Sequence, residues 1–343
     1  MEYLEVPTKD TRYAYVTGRV RGLEKHLLKE ADFARIKESK GLKQAVEILA
    51  KSYPYSDSLK EISQGEDFEK GLENELRRTR IELKSFSPQP ELVDLFWLEY
   101  DFHNIKVLLK IKGQKELLKK IDESKLEEYL SRAGSIQIKV LQEAVYRENL
   151  LDLPREFKDL ISEALNLIKK DPHPLKIDTF LDKKLFEMLS LKLREYDDLF
   201  LDGLGEKLID KFNIEAFLRV KLWKRETGRN FLEEIIVEGG GVEKKRLMNI
   251  AEQSENFLAE ELKNTEYGYS LQKALEEWKD KRNLSVLDDF FDKNILKYTK
   301  AGSYITFGRE PLINYIFLKK NELKRLRKIL RGKCYVANSY TWR

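Results

Sequence analysis

The side chains best suited to chemistry are spread thinly through this 343-residue chain. Three histidines, His26, His103 and His173, stand far apart, and no HExxH, CxxC or carboxylate cluster gives them ligand spacing. They read as surface or packing histidines, and no metal site is assigned. Gly239-Gly240-Gly241 runs into Val242-Glu243-Lys244-Lys245. A phosphate-cradling loop needs G-x-x-x-x-G-K-[ST], and here no hydroxyl residue follows the lysine. The stretch reads as a flexible connector into a helix at Glu243, with no nucleotide or other cofactor expected. Cys334 lies beside Lys333 and Tyr335 with no histidine base near it in sequence. Carboxylates are so numerous that no pair stands out as acid and base. No catalytic residue is assigned.

Charge offers one more feature. Between Lys319 and Lys333 there are eight basic residues and one acid, Glu322. Such a run either binds an anionic partner, RNA included, or forms a solvated helix face whose cations complement the helix dipole. Over the whole chain 64 basic and 60 acidic side chains nearly cancel to +4. That balance argues against a dedicated nucleic-acid binder, which needs a domain-wide basic excess. The single cysteine can form no internal disulfide, which fits a reducing compartment. No apolar run reaches the length of a spanning helix, and the first residues lack a signal-peptide pattern, so a cytoplasmic protein is expected.

The elements that would position these residues are helices. Leu92, Leu95, Leu98, Phe102, Ile105 and Leu109 recur at spacings of three and four, one face of a long helix that starts after Pro88 and Pro90 and stops at Gly113. Leu312, Ile316, Leu323, Leu326 and Leu330 give a second stripe between Pro311 and Gly332. Only short pieces such as Tyr13 to Val16 and Tyr304 to Phe307 suggest strand, so the fold class is all-α.

An internal repeat organises the helices. Asp101-Phe102-His103-Asn104-Ile105 returns 109 residues later as Asp210-Lys211-Phe212-Asn213-Ile214, and a further 109 residues lead to Glu322-Leu323. The set Asn104, Asn213 and Glu322 reads as a helix-crossing hydrogen-bond position. A second segment repeats with Asp182 matching Asp292, and a faint first copy stands at Glu69-Lys70. Three related helical units follow: 1–113, 114–228, and 229–343 with a C-terminal tail.

The run Phe307-Gly308-Arg309-Glu310-Pro311-Leu312-Ile313-Asn314-Tyr315, continuing through Lys319, Glu322 and Leu326-Arg327-Lys328-Ile329, resembles the C subunit of A-type and V-type rotary ATPases. In the eukaryotic V-ATPase its counterpart is the d subunit. Tyr13-Ala14-Tyr15-Val16-Thr17-Gly18-Arg19-Val20-Arg21 and Tyr100-Asp101-Phe102-His103-Asn104 resemble the same family. The resemblance implies a funnel of three similar helical domains about a pseudo-threefold axis, with a central cavity. It implies a non-catalytic central-stalk component that couples the rotating shaft to the membrane proteolipid ring during ion transport and ATP synthesis. It would bind no nucleotide or nucleic acid, and would sit at the inner face of the membrane through the ring. Arg19, Arg21 and Arg309, inside the most family-like segments, are the candidates for partner-interface or inter-unit contacts, with salt bridges inside the fold as the competing assignment. Two rival functions remain: a helical scaffold binding RNA or another anion through the basic C-terminal helix, and an enzyme whose site is assembled from scattered residues.

Overall fold

Apolar residues at three- and four-residue spacing dictate helices that bury one stripe each. In the computed structural model, which describes residues 10–59, 67–113, 123–223, 228–253, 256–281 and 285–340, the described residues form helices and no strands. In chain order they begin with α1 (Ala14–Glu24), α2 (Glu30–Glu38), α3 (Leu42–Leu49), α4 (Tyr55–Ser58), α5 (Phe68–Phe86), α6 (Pro90–Leu95) and α7 (Leu98–Gly113). There follow α8 (Glu123–Tyr129), α9 (Ile138–Arg147), α10 (Arg155–Lys170), α11 (Pro174–Arg194) and α12 (Leu199–Trp223). The last are α13 (Gly228–Ile235), α14 (Lys244–Asn249), α15 (Asn256–Leu262), α16 (Gly268–Lys281), α17 (Ser285–Thr299) and α18 (Glu310–Tyr340). The segments Tyr13 to Val16 and Tyr304 to Phe307 lie in helical turns and bends.

These helices compact into two units. One contains Met1–Asp101, Glu127–Ile138 and Thr299–Arg343, and the other Phe102–Leu126 and Lys139–Tyr298. In the first, α18 packs along α1, α2, α3 and α5. Its stripe of Leu312, Ile316, Leu323, Leu326 and Leu330 is buried with Val16, Val20, Leu72 and Leu76. Each such leucine contributes roughly 1.5–3 kcal/mol by leaving water. In the second unit Phe157, Leu160, Ile161, Ala164, Leu165 and Ile168 form the buried stripe of α10. Around Phe217, Leu218 and Trp278, helices α12 to α17 share one apolar cluster.

Two helix boundaries differ from the sequence reading. The helix expected from Leu92 to Gly113 breaks at Phe96-Trp97 into α6 and α7. There the Phe96 carbonyl accepts from Lys320 Nζ, a side chain 224 residues away. Gly332 does not end α18, which continues to Tyr340. A Cβ at Gly332 would meet nothing within 4 Å, so this glycine costs helix propensity without forcing a turn.

Candidate functional site

On α7 Asp101 is fully buried. Its carboxylate accepts from the Ser135 N–H (2.9 Å), the Ser135 hydroxyl (2.7 Å) and the Ile136 N–H (2.9 Å). On α12 Asp210, also fully buried, accepts from the Val242 N–H (2.8 Å) and the Tyr267 hydroxyl (2.7 Å). Both carboxylates press on glycine. A Cβ at Gly134 would lie 2.5 Å from Asp101 Oδ1, and one at Gly240 2.4 Å from Asp210 Oδ1. The triple-glycine stretch therefore differs from the slack connector expected. It leads into α14 as anticipated, but it is a tight loop clamped by a buried acid, with Gly239 at φ +94°. Burial, met only by neutral donors, pushes the Asp210 carboxyl up to about 6 and raises that of Asp101 as well.

A residue 109 positions beyond Asp210 is Lys319, a charge of opposite sign and also buried. Its ammonium lies 2.7 Å from Glu322, 3.1 Å from Glu75 and 3.1 Å from the Tyr55 hydroxyl. Glu75 also accepts from Ser58 (2.6 Å) and Arg78 (2.9 Å). Burial alone would raise the Glu75 carboxyl, but the Arg78 hydrogen bond and the Lys319 charge hold it below its ordinary value. The sequence reading assigned Lys319 to a basic run. Counting 109 onward from Asp210 was the signal that could have singled it out.

Asn104, Asn213 and Glu322 are all buried. Asn213 pairs with both the N–H and the carbonyl of Val237, just past the end of α13. Glu322 accepts from the Leu28 N–H, just past the end of α1, and from the Tyr55 hydroxyl at 2.6 Å. The other repeated acids are also engaged, as are Asp178 and Asp288, four residues before Asp182 and Asp292. Asp182 pairs with Lys106, and Asp178 with Lys110. Asp292 and Asp288 both take Lys211 at 2.6 Å. Glu69 takes Arg327 at 2.8 Å and Arg331 at 2.6 Å.

The three candidate arginines belong to the first unit, and each has partners there. Arg19 is 3.6 Å from Glu82 and lies over the Phe86 ring, with 46% of its side chain exposed. Arg21 pairs with Glu24 and donates to the carbonyls of Gly302 and Ser303, both at 2.8 Å. Arg309 donates to Gln89 Oε1 at 2.8 Å, which also accepts from Tyr13. The basic run is likewise engaged. Lys320 pairs with Glu99, Arg325 with Glu30, and Lys333 with the carbonyls of Lys37 and Ser39. A free anion-binding row does not describe α18: Lys320, Arg325, Arg327 and Lys333 tie it to the residues around it, while Lys328 and Arg331 lie exposed on its surface.

The histidines stay apart in role. His26 packs edge-on to Tyr53, and His173 caps α11 by accepting from the Leu175 N–H. Among the described residues the carboxylates close enough to share an ion are Asp288, Asp289 and Asp292, and Lys211 already lies against two of them.

Buried acids that fasten loops, and acid–base pairs that fasten helices, define a helical protein built for rigid packing. The chain belongs to the family of ATP synthase (C/AC39) subunits, which it matches over residues 16–339. It is 26% identical to the C subunit of the V-type sodium ATPase of Enterococcus hirae, with 94% of each chain aligned. It is also 26% identical to the C subunit of the A-type ATP synthase of Thermococcus kodakarensis and 24% to that of Methanocaldococcus jannaschii. These alignments cover 94% of this chain and 87% and 82% of theirs.

Proposed function

We propose that the chain is a non-catalytic central-stalk component of an A/V-type ATPase, coupling the rotating shaft to the membrane proteolipid ring. The observation that carries this reading is the alignment of nearly the whole chain with rotary-ATPase C subunits. The ion pairs support it. The helix carrying Lys106 takes the acid of the next sequence unit, Asp182, and the helix carrying Lys211 takes Asp292. The helix carrying Arg327 takes Glu69 of the first unit. A chain whose units are tied in this order resists shear, which torque transmission requires. On this reading 1–113, 114–228 and 229–343 are three equivalent units about a pseudo-threefold axis, and the cavity where they converge receives the shaft.

Among the described residues no helix is long and apolar enough to cross a membrane. On this reading contact with the membrane is made through the ring. The protein then sits at the cytoplasmic face as a peripheral component and binds no nucleotide itself. Of the three arginines, Arg19 is the one with enough exposed side chain to reach a partner. Arg21 and Arg309 are engaged by groups of the first unit.

The test is purification of the tagged chain from detergent-solubilised membranes. Shaft and proteolipid subunits should co-purify, and the isolated chain should neither bind nor hydrolyse ATP with magnesium. Recovery of the chain alone, or its turnover of ATP, would overturn the reading.

A further inference from the structure

A pocket of about 350 Å³ opens in the second unit between α11 and the loop that follows α13. That size is at the low end of the roughly 300–1,000 Å³ of small-molecule sites, enough for one or two side chains. Lys183, Arg194 and Lys244 line it together with two carboxylates, Glu187 and Glu238. Three cations against two acids leave an excess of one positive charge. The two lysines are fixed in place: Lys183 donates to the Glu234 carbonyl and Lys244 to the Glu233 carbonyl, both at 2.7 Å. Arg194 is different, since its guanidinium makes no hydrogen bond or ion pair with any described residue. It lies instead against the clamped glycine loop. A point one bond above the Gly239 Cα is 2.9 Å from Arg194 Nη2 and 3.7 Å from Ser190 Oγ. Gly239, required by its φ of +94°, thus also leaves room for the guanidinium. Beside these donors Leu191 is 66% exposed on the pocket wall.

We propose that this pocket docks an acidic segment of another subunit of the ATPase, one Asp or Glu carboxylate taken by Arg194 and a neighbouring apolar side chain seated on Leu191. The inference rests on the reading of the chain as an assembly subunit. Charge complementarity selects the occupant. A single positive excess matches one carboxylate, whereas a polyphosphate would face Glu187 and Glu238 with several negative charges. The leucine wall suits an apolar side chain and offers nothing to a phosphate. The planar guanidinium presents a two-pronged donor that fits a carboxylate.

The experiment places the photo-crosslinker p-benzoylphenylalanine at Leu191 of the full-length tagged chain and irradiates the complex in detergent-solubilised membranes. The expected product joins position 191 to a stretch of another subunit that contains Asp or Glu. It should disappear in Arg194→Glu, with retention of the partner on the tagged chain falling about tenfold at low salt. Retention by the wild type should weaken as salt rises, and retention by the variant should not. Because Arg194 is exposed, circular dichroism melting of the variant should match the wild type. The proposal is overturned by no cross-link in an intact complex, a cross-link undiminished in Arg194→Glu, or a cross-link to a stretch without acids. Arg194-dependent binding of inorganic pyrophosphate, followed by calorimetry, would assign the pocket to a small anion instead. If the wild-type chain retains no ATPase subunit, the assembly reading fails and takes this inference with it. A retained complex without the cross-link sinks the inference alone.

Discussion

Asp210 and Lys319 stand 109 residues apart, one period of the repeat expected from the sequence, and their surroundings solve the burial of a charge in opposite ways. Around Asp210 the donors are neutral, a backbone N–H and a tyrosine hydroxyl, so desolvation prevails and the carboxyl rises to about 6. Around Lys319 two carboxylates, Glu75 and Glu322, share one ammonium, and Arg78 supplies a second cation to Glu75. A buried helix position can therefore carry either charge, provided the neighbouring elements supply the counter-groups. The first arrangement fastens a glycine loop. The second fastens helices α4, α5 and α18 to one another.

The largest effect should come from removing the ammonium. Lys319→Met leaves Glu75 and Glu322 buried without it, and breaking a buried pair costs about 3–5 kcal/mol. Urea denaturation should show the midpoint falling accordingly; an unchanged midpoint would show that Arg78 suffices for Glu75, and the Tyr55 hydroxyl and Leu28 N–H for Glu322.

The next prediction separates the two sites by pH. The Asp210 pKa is raised from 3.8 to about 6 on folding, so the folded state holds its proton more tightly than the unfolded chain does. This group therefore favours folding at low pH and disfavours it increasingly from pH 4 to above 6. Its whole effect across the window is about 3 kcal/mol. Asp210→Asn removes the titration, so its stability relative to the wild type should improve by about that amount between pH 4 and pH 7. Glu75, held below its ordinary value, works the other way, and its contribution is lost as pH falls below about 4.5. Parallel melts across pH check both, and a flat difference for Asp210→Asn breaks the comparison.

Smaller again is Gly240→Ala. Its Cβ would lie 2.4 Å from Asp210 Oδ1, and forcing the loop off the acid should cost about 1–3 kcal/mol by thermal denaturation. The equivalent Gly134→Ala should behave alike if the two acidic clamps are one device. The smallest effect is expected at Arg19, whose contact with Glu82 is half exposed. Arg19→Ala should change the stability of the isolated chain by only about 0–1 kcal/mol. A loss of co-purifying subunits without a fall in melting temperature would assign Arg19 to the interface. A fall in melting temperature alone would assign it to the fold.

The apolar stripes, the all-helical class and the family were legible in the residues, because three- and four-residue spacing is local information and a motif is read from neighbours. Leu312, Ile316, Leu323, Leu326 and Leu330 were expected on one face and are buried together. The repeat pointed to Asn104, Asn213 and Glu322, and all three are buried polar residues. The basic run was legible as charge and illegible as structure. Arg327 finds Glu69 across 258 residues and Lys319 finds Tyr55 across 264, distances over which no local pattern extends.

By itself, then, the sequence determined which faces are apolar and which family the chain joins. Tertiary structure alone decided what each charge meets. It broke the Leu92 helix at Phe96-Trp97, where it also set Lys320 on a carbonyl, and it turned three glycines into a loop held by Asp210. It also closed the basic C-terminal helix onto the first helices of the chain. The physical reason is range: burial pattern follows from the spacing of neighbours along one helix, whereas a charge takes its partner, its pKa and its role from helices that only folding brings beside it.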